Sequence, residues 1–383
     1  MHNSEKSENI IIDKLTPITD INIKSISEKS DDNDIYLSIY FPIGNKNDNK
    51  VNNKFLTSRI KNIRKALPEK FKDQFEDLIN TYKKYCSLPQ LKGEKGRILF
   101  VSQSTIYVFR IPLEPERYLI LDNSPFLLPL ARLRDDYSDY GIVLLDSHES
   151  RLFNIRSDAV KQTSHLSTDL MNKHKKGGWS QMRFNRLRKE AIKSFLSSVA
   201  ESIEEYCKNH QVKGLIIAGP GDAKKELRDI LPEWIRNKVM DIVDTPIDVS
   251  EKELVNTGDI ILKTNEKSYS REKANNFRAA VLSGGLAEYG IDAIKNDLYQ
   301  GRVSVLLILN NIAVPGSKCE KCQELHVTGN SYPACPICGG TTSKTEIIEK
   351  LYEMAQYTDA EVEFVDDDKF LESIGGVGAI LRY

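Results

Sequence analysis

Four of the chain's six cysteines fall within twenty residues, as Cys319-x-x-Cys322 and Cys335-x-x-Cys338 with twelve residues between the pairs. Two such pairs supply four thiolates that close a tetrahedron around Zn²⁺, and four protein sulfurs leave no open coordination position for catalysis. Pro336 and Gly339-Gly340 tighten the second turn, and the residues between are too poor in apolar side chains to order themselves. The spacing therefore predicts a structural zinc ribbon over 319–338, with His326 an ordinary surface histidine. Cys86 and Cys207 stand apart from any activating histidine and are expected to pack on helix faces.

The second chemically distinctive stretch is Lys173-His174-Lys175-Lys176-Gly177-Gly178-Trp179-Ser180-Gln181-Met182-Arg183-Phe184. Adjacent glycines permit φ values denied to other residues and leave the backbone bare enough to press against another molecule. Lys173, His174, Lys175 and Lys176 before them, and Arg183, Arg186, Arg188 and Lys189 after, suit surroundings rich in phosphate. A solvated turn before a helix has the same composition, so both readings stand at this point. Gly219-Pro220-Gly221-Asp222 lacks the Gly-Lys-Ser/Thr of a phosphate-binding P-loop and reads as a plain strand-to-helix turn. No paired carboxylates or histidine cluster suggest acid/base chemistry, so catalysis is expected from the glycine loop if anywhere.

Elements must position these residues. Phe184, Leu187, Ala191, Phe195, Val199, Ile203 and Tyr206 recur every three or four residues and predict one long amphipathic helix directly after the loop. Tyr140 to Asp146 and Val212 to Ala218 are apolar runs that read as buried strands, which with the helices between them imply an α/β sandwich over 139–266. Upstream, Ile35 to Pro42 reads as a strand, 44–53 as a polar loop, and Lys54 to Ala66 with Phe71 to Tyr82 as a helical hairpin. Strands near 98–102, 105–111 and 117–122 and a short helix then complete an α+β domain over 35–138. A third, α/β domain over 267–383 holds the apolar strand Val303 to Leu309, the cysteine insertion and a glycine-punctuated end. Residues 1–34 lack a sustained period and are expected to form a flexible extension.

The chain's 383 residues and 40% hydrophobic content support two or three cores. With 54 basic against 55 acidic residues the net charge is −1, so any nucleic-acid contact must come from local patches. No run approaches a membrane span, and the N-terminus lacks the apolar centre of a signal peptide, so a cytoplasmic protein with no membrane or DNA partner is expected.

Gly177-Gly178-Trp-Ser-Gln-Met-Arg-Phe-Asn-Arg-Leu-Arg188 resembles the Gly-Gly-Gln loop and following helix of archaeal and eukaryotic class-1 peptide-chain release factors. Leu37 to Pro42 is similar to that family's first strand, and Gly214 to Gly219 with Lys225-Glu-Leu227 to its central domain. Ala287 to Gly290, Gly301 to Leu307 and Gly375 to Tyr383 are similar to its C-terminal domain, where some archaeal members also carry a cysteine ribbon. The resemblance covers most of the chain from Ile35 and implies three domains arranged like a release factor, with partners to match. These are the ribosomal A site with its rRNA and peptidyl-tRNA, and a translational GTPase met by the C-terminal domain. It further implies hydrolysis of the ester joining peptide to tRNA.

Two departures from the family bear on function. Trp179 stands where the family has its glutamine, and the nearest glutamine is Gln181, as in divergent members similar to Vms-type peptidyl-tRNA hydrolases. Gly177, Gly178 and Gln181 are therefore the catalytic candidates. Lys173, His174, Lys175, Lys176, Trp179, Arg183 and Arg186 are the RNA-binding candidates. An indole at Trp179 equally suits a non-catalytic plug similar to Balon-type hibernation factors. The family's Asn-Ile-Lys-Ser codon-reading tip corresponds to Phe55-Leu56-Thr57-Ser58, Asn22-Ile23-Lys24-Ser25 is read as coincidental, and Tyr118 to Phe126 lacks the family's cysteine. The expectation is codon-independent release on stalled ribosomes, with hibernation and stop-codon termination as alternatives.

Overall fold

The computed structural model describes residues 7–10, 13–28, 35–44, 46–67, 69–136, 139–156, 159–168, 179–210, 212–310, 312–319, 321–322, 324–327 and 334–383. The chain divides into two compact units, Met1–Asp136 with Tyr269–Tyr383, and Tyr137–Ser268. Among the described residues no helix is long and apolar enough to cross a membrane.

The first part of the first unit runs β1 (Ser7–Ile10), α1 (Ile23–Ser27), β2 (Tyr36–Pro42), α2 (Lys46–Ala66), α3 (Lys72–Cys86), β3 (Gly96–Val101), β4 (Thr105–Ile111), β5 (Tyr118–Asp122) and α4 (Leu128–Asp136). Its sheet has the order β1-β4-β3-β2-β5, antiparallel except where β1 lies parallel to β4. The two-residue period of a strand sorts β2 cleanly: Leu37 and Ile39 meet Leu56, Phe75 and Leu78 of the helical pair, while Tyr40 faces a second core. α2 begins eight residues before the expected Lys54. Asn52, a poor helix former, is buried there, donating its amide to the Pro42 carbonyl and accepting from Arg117, both at 2.7 Å. Tertiary hydrogen bonds override the local preference of an asparagine-rich stretch.

The second unit holds β6 (Tyr140–Leu145), β7 (Glu149–Arg156), β8 (Ala159–Ser167), α5 (Trp179–Asn209), β9 (Gly214–Ala218), α6 (Ala223–Ile230), α7 (Glu233–Arg236), β10 (Val239–Val243) and the start of α8 (Glu251–Ser283). The sheet order is β10-β9-β6-β7-β8, with β10, β9 and β6 mutually parallel. β6 is covered on both faces, which is why it reads as an unbroken apolar run: Val143 and Leu145 pack under α5, and Tyr140 and Ile142 under α8. Gly258 is required in mid-helix because a Cβ there would stand 2.8 Å from the Tyr140 ring, whose hydroxyl donates to Asp259 at 2.7 Å.

The chain then returns to the first unit with β11 (Ala287–Tyr289), α9 (Ile291–Tyr299), β12 (Val303–Leu309), β13 (Pro315–Cys319), β14 (Leu325–Val327), β15 (Thr342–Glu346), α10 (Ile347–Tyr357), β16 (Glu361–Val365), α11 (Lys369–Ser373) and β17 (Val377–Leu381). One sheet has the order β11-β17-β12-β16 and the cysteine-bearing one β14-β13-β15. The fold is thus mixed α/β and α+β.

The sequence reading treats 35–138 and 267–383 as separate domains, but the two segments close a common core. Ile18, Tyr40, Leu127 and Leu130 share it with Ile347, Leu351 and Phe364. Residues 13–28 belong to it as well, contrary to the expected loose extension, because Ile18, Ile21, Ile23 and Ile26 are all buried. Asn22 there caps α1 by accepting from the Ser25 N–H at 3.0 Å, so the Asn22-Ile23-Lys24-Ser25 string is a helix start. Glu349 completes the junction. Its buried carboxylate accepts from the N–H groups of Leu127 and Leu128 at 2.5 and 2.8 Å, capping α4 from 222 and 221 residues away. Burial and the nearby Glu353 push its carboxyl well above the usual range. Glu349→Ala is expected to lower unfolding free energy by about 2 to 4 kcal/mol, since two buried N–H groups lose their acceptor. Urea denaturation checks this, and an unchanged midpoint would contradict it.

Candidate functional site

α5 is 31 residues, about 46 Å, while the strand beneath it, β6, has 6 residues and spans roughly 20 Å. A helix of that length must overhang its sheet. Phe195, Leu196, Val199, Ile203 and Tyr206 are buried against the sheet. Upstream the packing ends: Met182 is 68% and Leu187 42% exposed, and from 182 to 190 every side chain the structure describes is exposed except Arg188, which is half-buried. For about 13 Å, then, the helix has no packed face among the described residues. The expected apolar stripe continues past the core it was read to serve.

Gly177, Gly178, Lys173, His174, Lys175 and Lys176 lie outside the described residues. Trp179 opens α5 and Gln181 falls in its first turn, although their side chains are not among those described. Arg183 and Arg186 are exposed on the unpacked turns. From 182 to 194 there are five basic residues (Arg183, Arg186, Arg188, Lys189, Lys193) against one acidic, Glu190. The helix N-terminus adds its own partial positive charge, so this end of α5 is built to meet anions. Sequence reasoning missed the exposure of Met182 and Leu187, because a stripe shows which face is apolar and not what covers it.

Phe55, Leu56, Thr57 and Ser58 do not form a hairpin tip. They lie inside α2, where Leu56 is buried, and the connection to α3 comes only after Ala66.

The ribbon of β13, β14 and β15 gathers Cys319, Cys322, Cys335 and Cys338, whose sulfurs all lie within 4.8 Å of one another. Sγ–Sγ distances of 3.5 Å (Cys319–Cys338) and 3.7 Å (Cys322–Cys335) approach the edge of about 3.8 Å of a tetrahedron with metal–sulfur bonds near 2.3 Å. The N–H groups of Lys321 and Cys322 each point at Cys319 Sγ from 3.4 Å, and the Cys322 N–H helps pull the Cys319 thiol down to about 6. A Cβ on Gly340 would stand 3.2 and 3.3 Å from the sulfurs of Cys319 and Cys338. The four sulfurs therefore fit a tetrahedral metal, and zinc bound there would supply a structural crosslink. His326 is closer than expected, with Nε2 3.3 Å from Cys335 Sγ. By contrast, burial pushes the Cys86 thiol up to about 12 and raises that of Cys207, as suits packing residues.

The purified chain is expected to carry about one zinc per molecule, lost in Cys335→Ser and kept in Cys86→Ser. Mass-spectrometric metal analysis decides it, and a folded wild type free of metal would contradict the assignment.

Two family descriptions match the chain: "Bacterial archaeo-eukaryotic release factor family 10" over residues 125–257 and "eRF1 domain 3" over residues 270–383. Over these segments the chain is a divergent relative of archaeo-eukaryotic release factors. It is 26% identical over 398 residues to peptide chain release factor subunit 1 of Methanobrevibacter smithii, covering 94% of this chain and 96% of that protein. To the protein of the same name from Thermococcus onnurineus it is 28% identical over 330 residues, covering 76% and 79%. Among solved structures it is similar to the archaeal translation termination factor aRF1, at 17% identity, coverage of 91% and 92% and a TM-score of 0.28. It is also similar to Dom34 of S. cerevisiae, described as a translation termination-like factor, at 13% identity, coverage of 74% and 73% and a TM-score of 0.44.

Proposed function

We propose that the chain enters the A site of stalled ribosomes in the cytoplasm and promotes hydrolysis of peptidyl-tRNA whatever codon is present. The observation that carries this is the unpacked, cationic start of α5, the helix that follows Gly177-Gly178 directly in sequence. Its cations would meet rRNA phosphates, and the bare glycine backbone would approach the ester closely. The Gln181 amide would orient a water toward the ester carbonyl carbon. The carbon–oxygen bond to the terminal ribose breaks, and that oxygen leaves with a proton. No protein acid or base is asked to ionise, so orientation supplies the protein's share of the rate.

Codon independence is supported by the connection from α2 to α3, where residues 67–71 read Leu-Pro-Glu-Lys-Phe and carry no Asn-Ile-Lys-Ser string. The segment matched by the description "eRF1 domain 3" is proposed to meet a translational GTPase. A non-catalytic, hibernation-type reading is favoured by Trp179, whose ring follows the glycines directly and could stack in an RNA-lined site.

The test is peptide release from ribosomes carrying labelled peptidyl-tRNA with a stop codon, a sense codon or an empty A site. The expected result is release in all three, reduced on the order of 10²-fold by Gln181→Ala. Binding without release would leave the hibernation reading, and release confined to stop codons would return the protein to termination.

A further inference from the structure

The cysteine ribbon buries two of its four sulfur-bearing residues, Cys319 and Cys335, while Cys322 is exposed and Cys338 half-buried. A buried thiolate that gives up water needs a hydrogen-bond donor in its place. Cys319 has two, the N–H groups of Lys321 and Cys322, each at 3.4 Å. Among the described residues no backbone N–H points at Cys335 Sγ, and the nitrogen that faces it is His326 Nε2, 3.3 Å away. β14 aims the ring there. His326 lies opposite Ser317 across the β13–β14 ladder, and opposite residues share a face, the one on which Cys319 follows two residues after Ser317. The two residues before His326 are fastened elsewhere: Leu325 is buried in the core shared by the two chain segments, and Glu324 pairs with the buried Lys295.

We propose that His326 is a positioning residue of the metal site: its Nε2–H donates to the Cys335 thiolate, holds that ligand in place and draws off part of its negative charge. A metal-bound thiolate offers only lone pairs, so Nε2 carries the proton. The imidazole is not itself a ligand. Four sulfurs complete a tetrahedron, and they gather within 4.8 Å of one another without it. An ordinary surface histidine would turn its ring to water, whereas this one is half-buried and directed at a single sulfur. The bond also connects metal to fold, because the chain that brings His326 to Cys335 is the chain that seats Leu325 in the core and Glu324 on α9. Loss of the donor would therefore loosen the ligand without removing it. The inference rests on the zinc assignment above and is independent of the ribosomal role.

The experiment measures the zinc affinity of the full-length protein by competition with a chromogenic chelator, and the absorption of its cobalt(II) form, in wild type, His326→Leu and His326→Gln. Leucine removes the donor, and glutamine keeps an N–H near the place of Nε2. Zinc affinity is expected to fall about 10- to 100-fold in His326→Leu, as on loss of an outer partner of a metal ligand, and to recover in His326→Gln. In the cobalt form of His326→Leu the sulfur-to-cobalt charge-transfer band is expected at longer wavelength, because a thiolate without its donor gives up an electron more readily. The d–d bands are expected to stay as in wild type, since four sulfurs still bind. Should the leucine variant misfold, nitrogen-15 NMR of the zinc-loaded wild type reads the same bond: Nε2 is expected to be the protonated nitrogen, and a bare Nε2 would overturn the proposal. Unchanged affinity and charge-transfer band in His326→Leu would overturn it too, as would d–d bands that move with the loss of His326, the sign of a direct ligand. A wild type that binds no zinc would sink the metal assignment itself and this inference with it, whereas the other contrary results sink the inference alone.

Discussion

The second unit depends on the anchoring of one half of one helix. Phe195, Leu196, Val199 and Ile203 lock α5 under β6 and β9, and the length mismatch between helix and strand dictates that the other half runs free. The unpacked turns remain helical because the backbone hydrogen bonds of a helix are made within it and need no neighbour. Arg183, Arg186 and Lys189 occupy those turns with little opposing charge, so electrostatics and geometry favour the same direction of approach to an anionic target. A chain with almost no net charge still acquires a cationic end in this way.

In the first unit the comparable constraint is the junction of its two chain segments. α10 supplies it from both sides: Glu349 caps α4, and Lys350 reaches Ser124 at 2.6 Å, Glu353 at 3.0 Å and Asp122 at 3.3 Å. Removing any partner would leave a buried charge or donor uncompensated, so the contacts hold as a set. The cysteine ribbon is tied to the same unit through the buried Lys295, which pairs with Glu324 two residues beyond Cys322. A cysteine ribbon of little apolar content thus rests on a helix that has its own core.

Much of this was legible in the sequence wherever one physical signal dominated. β2, β6, β9 and β12 are apolar runs too short for helices, the α5 stripe repeats at helical period over seven positions, and paired Cys-x-x-Cys spacing brings four sulfurs into one cluster. What was not legible depends on contacts between distant residues. Nothing near Leu127 announces that its N–H will find Glu349, and the isoleucines of 18–26 look irregular because a 3₁₀ turn and a short helix share them. Gly258 lies in the middle of α8, and the ring of Tyr140 that explains it is 118 residues away. Of the candidate site, the glycine pair and the cations were visible in the sequence, whereas the overhang that exposes Arg183 and Arg186 follows from comparing a helix length with a strand length.

The free end of α5 is proposed to reach the RNA surrounding the peptidyl-tRNA ester. Met182, exposed in the first turn, offers a direct way to ask. A hydroxyl-radical source attached through Met182→Cys, on protein bound to ribosomes carrying peptidyl-tRNA, is predicted to cleave large-subunit rRNA at the peptidyl-transferase centre. Cleavage elsewhere on the ribosome, with the centre untouched, would contradict the account.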